Sequence, residues 1–493
     1  MTTFTPTAEQ TEIVNAAVES DANMSVIARA GAAKTSTLVL IAEALPQKNL
    51  LCLAFNKKIA DEMHDRLPPN CESKTLHGLG YKAWWGFVRK KMRVDKSKTY
   101  RLLKEQIADI ENPQEKSEAF EFMSETMDFI SAAKQQGYLP DAFKGHWRPL
   151  INDHDFFAGL PMEPSDLQID LIKTVLVLSF REALEGNIDF DDMIYCPALC
   201  SVSWPSPDVT LVDEAQDLAP INHHILKKIV RNNRLIAVGD PKQAIYGFRG
   251  ASVQSMNELH EMFKTELYYL TISFRCSKAV TKNAHWLAPD MKSPEWAIPG
   301  EVSRPLMWGP DDIKDGDAII CRNNAPLFSV ALHLLEAGRL PEIVGRDLSK
   351  PLIKILSKLG KDKMPRAAAL EALKDWEANQ LRRAREGARG GIHDRAACLR
   401  IMIDKTKTLG DAKAYLTHLM NRDGRIYLAT GHKSKGLEYD NVFFLDAFLC
   451  RIEKGQDANI KYVIETRAKD RLTYVTSEGY ISENGDGISA ENA

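Results

Sequence analysis

The sequence has no C-x-x-C pair: its eight cysteines are scattered, and Cys196 and Cys200 are the closest two. Without histidines at ligand spacing beside them, they argue against a disulfide framework or a zinc site and read as reduced intracellular thiols. No apolar run reaches the roughly 18 residues of a membrane span, and no cationic-then-apolar leader opens the chain. A cytoplasmic protein with no membrane partner is expected. There is no internal repeat, and little net charge: 64 Lys and Arg against 67 Asp and Glu leave −3. That balance counts against a coating protein drawn to nucleic acid by its overall field, so any contact with phosphate needs a local groove. What is present is an ordinary globular composition, 44% apolar and 27% charged over 493 residues, which is enough for about three domains.

The chain is organised around residues 209–251, which contain VTLVDEAQDLAP and RLIAVGDPKQAIYGFRGA. Each segment opens with an apolar run that predicts a buried strand, and each strand ends in acid, at Asp213-Glu214 and at Gly239-Asp240. In a parallel sheet covered by helices, ligands bind just beyond the carboxyl ends of the strands. An acidic pair there is placed to hold Mg²⁺ and to orient a water on a phosphate. Gln243, Tyr246, Phe248 and Arg249 follow, a set suited to touching both a nucleotide and a flat ring. For the DEAQD motif by itself, a solvated turn at a strand end is the plain alternative.

Thr7 and Gln10 have the spacing of a capping box opening a helix; Gln10 equally has the amide to read adenine, and the residue alone leaves both open. Met24–Ala28 predicts a strand, followed by Arg29, Ala30, Gly31, Ala32, Ala33, Lys34, Thr35 and a helix. This is the phosphate-cradling order G-x-x-x-x-G-K-[ST], with Ala28 and Ala33 in the two glycine places. Ala33 is the larger departure, because glycine there allows close approach and unusual dihedrals. Strands are also predicted at 49–55 and 71–76, which places Phe55, Lys58 and His77 on the same rim. Aromatic and basic residues on such a rim suit single-stranded nucleic acid. From about Trp84 to Gly186 the pattern is helical with no strand signal, and Trp84 and Trp85 are expected in its core. A second sheet is predicted from 317–323, 426–430, 441–446 and 471–476, with Arg275 just beyond the preceding strand. The basic run LRRAREGARGG at 381–391 reads as a solvated loop or as a DNA contact.

Taken in order, Gln10, ARAGAAKT, LAFNKKIADEM, TLHGLG, VDEAQD, VGDPKQAIYGFRGA, SFRCS, ICRNNA, TGHKSKGLEY and ETRAKDRL resemble the motif series of superfamily 1 DNA helicases of the UvrD/Rep type. The resemblance spans residues 10–471, and GDPKQAIYGFRGA is its most specific part. It implies an α/β fold of two RecA-like P-loop domains with parallel sheets, each carrying a mainly helical insertion, and a nucleotide site between them. The expected boundaries are 1–85 with 187–272 for the first domain, and 86–186 for its insert. The second domain is expected at 273–345 with 424–481, its short basic insert at 346–423, and a disordered tail at 482–493.

ATP and Mg²⁺ are the implied cofactors. In the implied roles Gln10 contacts adenine, Phe274 stacks on it where the family often has Tyr, and residues 28–35 hold the phosphates. Thr35 and Asp213 bind the metal, Glu214 activates the attacking water and Gln243 senses the γ-phosphate. Arg275 and Arg467 look like the arginines that stabilise transition-state charge, while Gly436 and Glu438 lie on the ribose side. Phe55, Lys58, His77, Tyr246, Phe248, Arg249 and His432 look like the track for the strand, with Phe248 standing for a common Trp. The implied function is an ATP-dependent helicase or translocase moving 3′ to 5′ on single-stranded DNA and unwinding duplex, in repair, recombination or replication. Its implied partners are single-stranded DNA, single/double-strand junctions, and replication or repair proteins. Alternatives are a translocase that displaces proteins but unwinds weakly, a non-hydrolysing DNA-binding accessory protein, and RNA as the track.

Overall fold

The apolar runs form short parallel strands with a polar residue at the carboxyl end that starts the next helix. In chain order the strands are Met24–Ala28 (β1), Leu50–Ala54 (β2), Cys71–Thr75 (β3), Arg93–Val94 (β4), Asn187–Ile188 (β5), Val209–Val212 (β6) and Arg234–Gly239 (β7). Glu266–Leu270 (β8), Glu301–Ser303 (β9), Ala318–Cys321 (β10), Pro341–Ile343 (β11), Ile426–Thr430 (β12), Tyr439–Leu445 (β13) and Ala468–Val475 (β14) follow. This computed structural model describes residues 5–143, 147–245, 254–345, 349–453 and 455–481. Tyr246, Phe248, Arg249 and the 482–493 tail lie outside them. Packing divides the chain into two units, one of residues up to Ala28 with Ala33–Leu270, the other of Arg29–Ala32 with the chain from Thr271.

The sheet of the first unit has six strands in the order β3-β2-β6-β7-β1-β8, all parallel. Every residue of β2, β6 and β7 is buried, as expected of parallel strands covered on both faces. Ala28, Phe55, Asp213 and Asp240 therefore emerge along one edge of one sheet. Helix entry is local chemistry. Thr7 and Gln10 cap the helix Ala8–Glu19 (α1) reciprocally, so the capping role of Gln10 is realised. The helix Lys34–Ala44 (α2) follows β1. Asn56 caps Lys57–Arg66 (α3) through Ile59 N–H, and Thr75 caps Leu76–Val88 (α4) through Gly78 N–H. Each cap satisfies an amide that the first helical turn leaves unpaired.

Between α4 and β6 the chain is mainly helical, with two departures from the sequence reading. Trp84 is buried and donates its indole N–H to the Ala183 carbonyl at 3.0 Å, but Trp85 is 55% exposed. Adjacent helical residues point about 100° apart, and on this helix that leaves one ring in the core and the other in solvent. A strand was also missed: β4 pairs with β5 in parallel, at two residues each too short for any period.

Beneath this region lies a buried ion cluster. Lys98 Nζ donates to Asp192 Oδ2 at 2.7 Å and to the carbonyls of Ser179 and Asn187. Lys134 Nζ reaches Asp189 Oδ2 at 2.5 Å and Asp192 Oδ1 at 2.8 Å. Burial opposes ionisation of Asp192, but Lys134 and Lys98 outweigh it and hold this carboxyl well below its ordinary value. Burial likewise opposes the charge on Lys134, and Asp192 and Asp189 overcome it.

The second unit repeats the plan, with a parallel sheet in the order β11-β12-β10-β13-β14-β9. Helices Ser349–Leu359, Arg366–Arg383, Glu386–Asp404 and Leu409–Met420 come between β11 and β12 in the chain. The run 381–391 is not a loop: apart from the break at Ala384 and Arg385 it is helical, because its Ala, Leu and Arg residues favour helix. All eight cysteines are buried and unpaired. No helix among the described residues is long and apolar enough to cross a membrane.

Lys134→Met leaves two buried carboxylates short of a cation, a change that costs about 3–5 kcal/mol. We expect a loss of that size in urea unfolding at pH 7. Because the folded value of Asp192 is depressed, the cluster's contribution is present above about pH 4 and lost as pH falls further. The native and Lys134→Met unfolding midpoints should therefore converge in acid.

Candidate active site

The first unit brings the two acidic strand ends and the start of α2 together. Thr35 Oγ1 donates to Asp213 Oδ2 at 3.0 Å, and Lys34 Nζ lies 3.4 Å from Glu214 Oε1. Asp213 also accepts from the Glu214 N–H at 2.9 Å. Glu214 takes φ 50° and ψ 43°, left-handed backbone that a non-glycine residue occupies at a cost of about 1–2 kcal/mol. Strain of this kind persists where the surroundings over-determine it, and here the Glu214 carboxylate meets Lys34 while its N–H is held by Asp213. Burial and then the neighbouring Glu214 push the Asp213 carboxyl up, Lys34 and the Thr35 hydroxyl pull against both, and the net result is a value of about 6.

Two residues that carry this geometry escaped the sequence reading of roles. Gln216 Nε2 donates to Glu214 Oε2 at 2.5 Å, while its Oε1 accepts from the Asp240 N–H at 3.0 Å. It thus ties the two strand ends together. Gly239 permits this, because a Cβ there would stand 2.6 Å from Gln216 Oε1. Gln243 Nε2 extends the chain of bonds to Asp240 Oδ2 at 2.7 Å. The signal for Gln216 was its position two residues past Glu214 at a strand end. Gln10, fully buried, donates from Nε2 to Thr37 Oγ1 at 3.1 Å on α2.

Ala33 adopts φ 55° and ψ 39°, so the alanine stands where the loop does turn left-handed. The loop thus takes the glycine-type conformation with a methyl in place. The chemistry of the site fits Mg²⁺. Thr35 and Asp213 offer adjacent oxygens, and the raised Asp213 carboxyl is a buried acid that a cation would relieve. Mg²⁺ is typically held by one or two carboxylates with waters and substrate phosphates. Among the described residues there is no cluster of three or more His, Cys, Asp or Glu that would suit a protein-only cage.

The rim of the first unit carries Phe55, 41% exposed, Lys58, in an ion pair with Glu62 at 3.9 Å, and His77. Burial lowers the pKa of His77, which favours a neutral ring. A further aromatic residue joins it: Phe190, 58% exposed, lies 4.9 Å from the His77 ring centroid. Phe190 sits in the tight turn closed by Asp189 N–H to Asp192 Oδ2 and Asp192 N–H to Asp189 Oδ1, both at 2.9 Å. The same two aspartates are clamped by Lys98 and Lys134.

In the second unit Arg275 Nε pairs with Glu438 Oε2 at 2.7 Å. Arg467 is buried, with Nε and Nη1 donating to the carbonyls of Val463 and Leu437 at 3.0 Å. Arg29 forms two hydrogen bonds to Asp290 at 2.8 and 2.7 Å. Gly31, at φ 73°, would clash with Ser273 and Arg275 if it carried a Cβ. Ala30 N–H donates to the Tyr462 hydroxyl at 3.1 Å; Ala28 and Ala32 are buried. Phe274 faces Trp296, 71% exposed and unremarked in the sequence, at 6.3 Å between ring centroids. Gly436 has φ 84°, and His432 sits in the short helix Gly431–Ser434 after β12.

The description "UvrD/REP helicase N-terminal domain" matches residues 7–264, more than half of the 493 residues. The chain belongs to the UvrD/REP helicase family. Among the proteins it is similar to, F-box DNA helicase protein 1 of Schizosaccharomyces pombe is 26% identical over 522 aligned positions, 94% of this chain and 57% of that protein. F-box DNA helicase 1 of Gallus gallus is 26% identical over 516, covering 94% and 48%. DNA helicase IV of Escherichia coli is 28% identical over 333, covering 59% and 47%. The chain therefore spans about half the length of these relatives.

Two measurements probe the site. With metal chelated, the folded protein ionises Asp213 near pH 6, against about 3.9 unfolded. The residue's penalty therefore begins above about pH 4, grows to pH 6 and then holds. Asp213→Asn should melt higher than native protein at pH 8, and the gap should shrink by pH 5. Ala33→Gly, unlike an ordinary Ala→Gly change that loses about 0.5–1 kcal/mol, should leave stability unchanged or raise it in urea unfolding. A loss of 1 kcal/mol or more would show that the methyl is not strained.

Proposed function

We propose that this chain is a DNA-stimulated ATPase that drives 3′ to 5′ movement along single-stranded DNA and opens duplex at junctions. The observation that carries the reading is the constellation of Lys34, Thr35, Asp213, Glu214 and Gln216 at the carboxyl edge of a parallel sheet. The names of the three relatives given above, each a DNA helicase, support the choice of DNA as substrate. In this reading Lys34 and the backbone of residues 30–35 hold the phosphates of ATP. Thr35 and Asp213 would hold Mg²⁺, which supplies charge neutralisation on the phosphates when bound.

Glu214 is the residue that orients and deprotonates the attacking water. Gln216 holds one of its oxygens and Lys34 neighbours the other, so the carboxylate keeps one rotamer and aims its remaining lone pairs. Gln243, linked to the same chain through Asp240, is placed to report the state of the γ-phosphate. Arg275 and Arg467 are the arginines proposed to stabilise charge in the transition state, an effect that can reach 10³–10⁵ in rate. Gln10 and Phe274 are proposed at adenine, with Gly436 and Glu438 on the ribose side. Phe55, Lys58, His77 and His432 are proposed on the strand track, together with Tyr246, Phe248 and Arg249, and Phe190 is proposed there too because it lies beside His77.

The test is ATP hydrolysis with and without oligo-dT, in native protein and Glu214→Gln. Strong stimulation in the native protein, abolished by the substitution while DNA binding is kept, is the expected result. Unstimulated hydrolysis would remove the coupling to DNA, and no hydrolysis in either protein would leave a DNA-binding accessory protein. Tailed duplexes with 3′ or 5′ overhangs then read polarity: release of the labelled strand from the 3′-tailed substrate alone is expected.

A further inference from the structure

Helix α4 begins on the rim at His77 and runs away from it. Residues His77, Tyr81, Trp85 and Arg89 follow one another at i, i+4, i+8 and i+12, the spacing of a single helical ridge, each step advancing about 6 Å along the axis. His77 and Tyr81 are half-buried, and Trp85, Arg89 and the adjoining Lys82 are exposed. Phe190 meets the head of this row, its ring tilted 35° to that of His77 with the centroids 4.9 Å apart. The ridge therefore carries rings in succession, Phe190, His77, Tyr81 (which also packs in part against the core) and Trp85, and ends in positive charge. Arg89 itself closes the helix in left-handed backbone at φ 52°.

We propose that this ridge is a second segment of the single-stranded DNA track, which lengthens the contact from the sheet rim onto the inserted helical region. The proposal rests on the reading of the protein as a DNA motor and names where the strand goes. Three features favour this occupant. The rings are spaced at a step comparable to one extended nucleotide, and ring faces accept any base. The charges flanking them, Lys82 and Arg89, suit a polyanion, in a chain whose overall field supplies no attraction. Finally, the ridge is continuous with the rim through the His77–Phe190 pair. Trp85 was expected in a core, and a large exposed indole between two cations is better explained as a stacking platform.

The test uses the full chain, with Trp85→Ala and with Lys82→Ala combined with Arg89→Gly. Glycine suits the left-handed position, and all three side chains are exposed, so both variants should melt with the native protein. Fluorescence anisotropy of labelled oligo-dT is measured over a range of lengths and salt concentrations. Native affinity should keep rising with length after the rim is filled. Trp85→Ala should lose about 5- to 100-fold on long strands, the range for one stacked base, and bind short strands as the native protein does. The double substitution should lower the slope of log affinity against log salt by about 1.4, roughly 0.7 for each lost phosphate contact.

Native affinity and slope on long strands in both variants would overturn the proposal while leaving the motor reading intact. A loss confined to tailed duplexes would also overturn it, assigning the ridge to the duplex arm. If the native protein neither binds any strand nor hydrolyses ATP, the functional reading fails and this inference fails with it.

Discussion

Everything at the catalytic edge depends on holding two carboxylates, Asp213 and Glu214, side by side at the buried end of β6. Like charges at such a place repel, and burial removes the water that would stabilise them. The structure answers with one cation, one hydroxyl and one amide. Lys34 and Thr35 come from the first turn of α2, and Gln216 from the turn after the strand. The first two stand far from the acids in sequence, 178 residues in the case of Thr35 and Asp213. Only a parallel sheet whose carboxyl ends share one edge can deliver them together. The compensation is incomplete, as the raised Asp213 carboxyl records. That remaining deficit is what suits the place to the proposed cation and phosphate role better than to that of an ordinary salt bridge.

The sheet positions were legible because burial on both faces leaves a plain signal: short apolar runs ending in acid, Asn or Thr. So were Lys34, Thr35, Asp213 and Glu214, since strand, loop and helix fix where they emerge. What was not legible depends on rotation and long-range approach. Trp84 and Trp85 are identical in the sequence, and only the phase of α4 decides that one is buried under Ala183 while the other faces solvent. Gln216 was in view within the motif, yet its link to Asp240 requires β6 and β7 to be neighbours. Phe190 looks like one apolar residue in an acidic stretch until the His77 ring appears beside it. The left-handed backbone at Ala33 was anticipated from the glycine it replaces, but that at Glu214 was not, because no neighbouring residue type announces it.

The buried cluster of Lys98, Lys134, Asp189 and Asp192 shows how the inserted helices and the rim are one construction. Replacing such a cluster with apolar residues is often neutral or stabilising, so net stability is a poor account of its presence. Its geometry offers a better one. Asp189 and Asp192 bracket Phe190 and bond each other's amides, while the two lysines arrive from separate helices, Lys98–Ala108 and Met123–Gln136. Directional bonds of 2.5–2.9 Å hold a turn in one place in a way that a greasy contact, tolerant of sliding, would not. The turn in turn keeps a large ring out in water against His77, where hydrophobic burial alone would draw it inward.

Near-neutral charge then constrains how such a protein can grip DNA. At physiological salt, fields fade over about 8 Å, and a chain with net charge −3 has no excess to project. Attraction must come from groups in contact: stacking rings, with a few cations beside them. Contacts of that kind are short-ranged and independent of base sequence, and each is weak enough to be exchanged for its neighbour. A strongly basic surface would bind the strand more tightly and release it more slowly. The proposed row of rings at helical spacing, bounded by Lys82 and Arg89, would give binding that is graded along its length. In the proposed reading of a protein that moves on its substrate, grading along the path matters more than the depth of any one site.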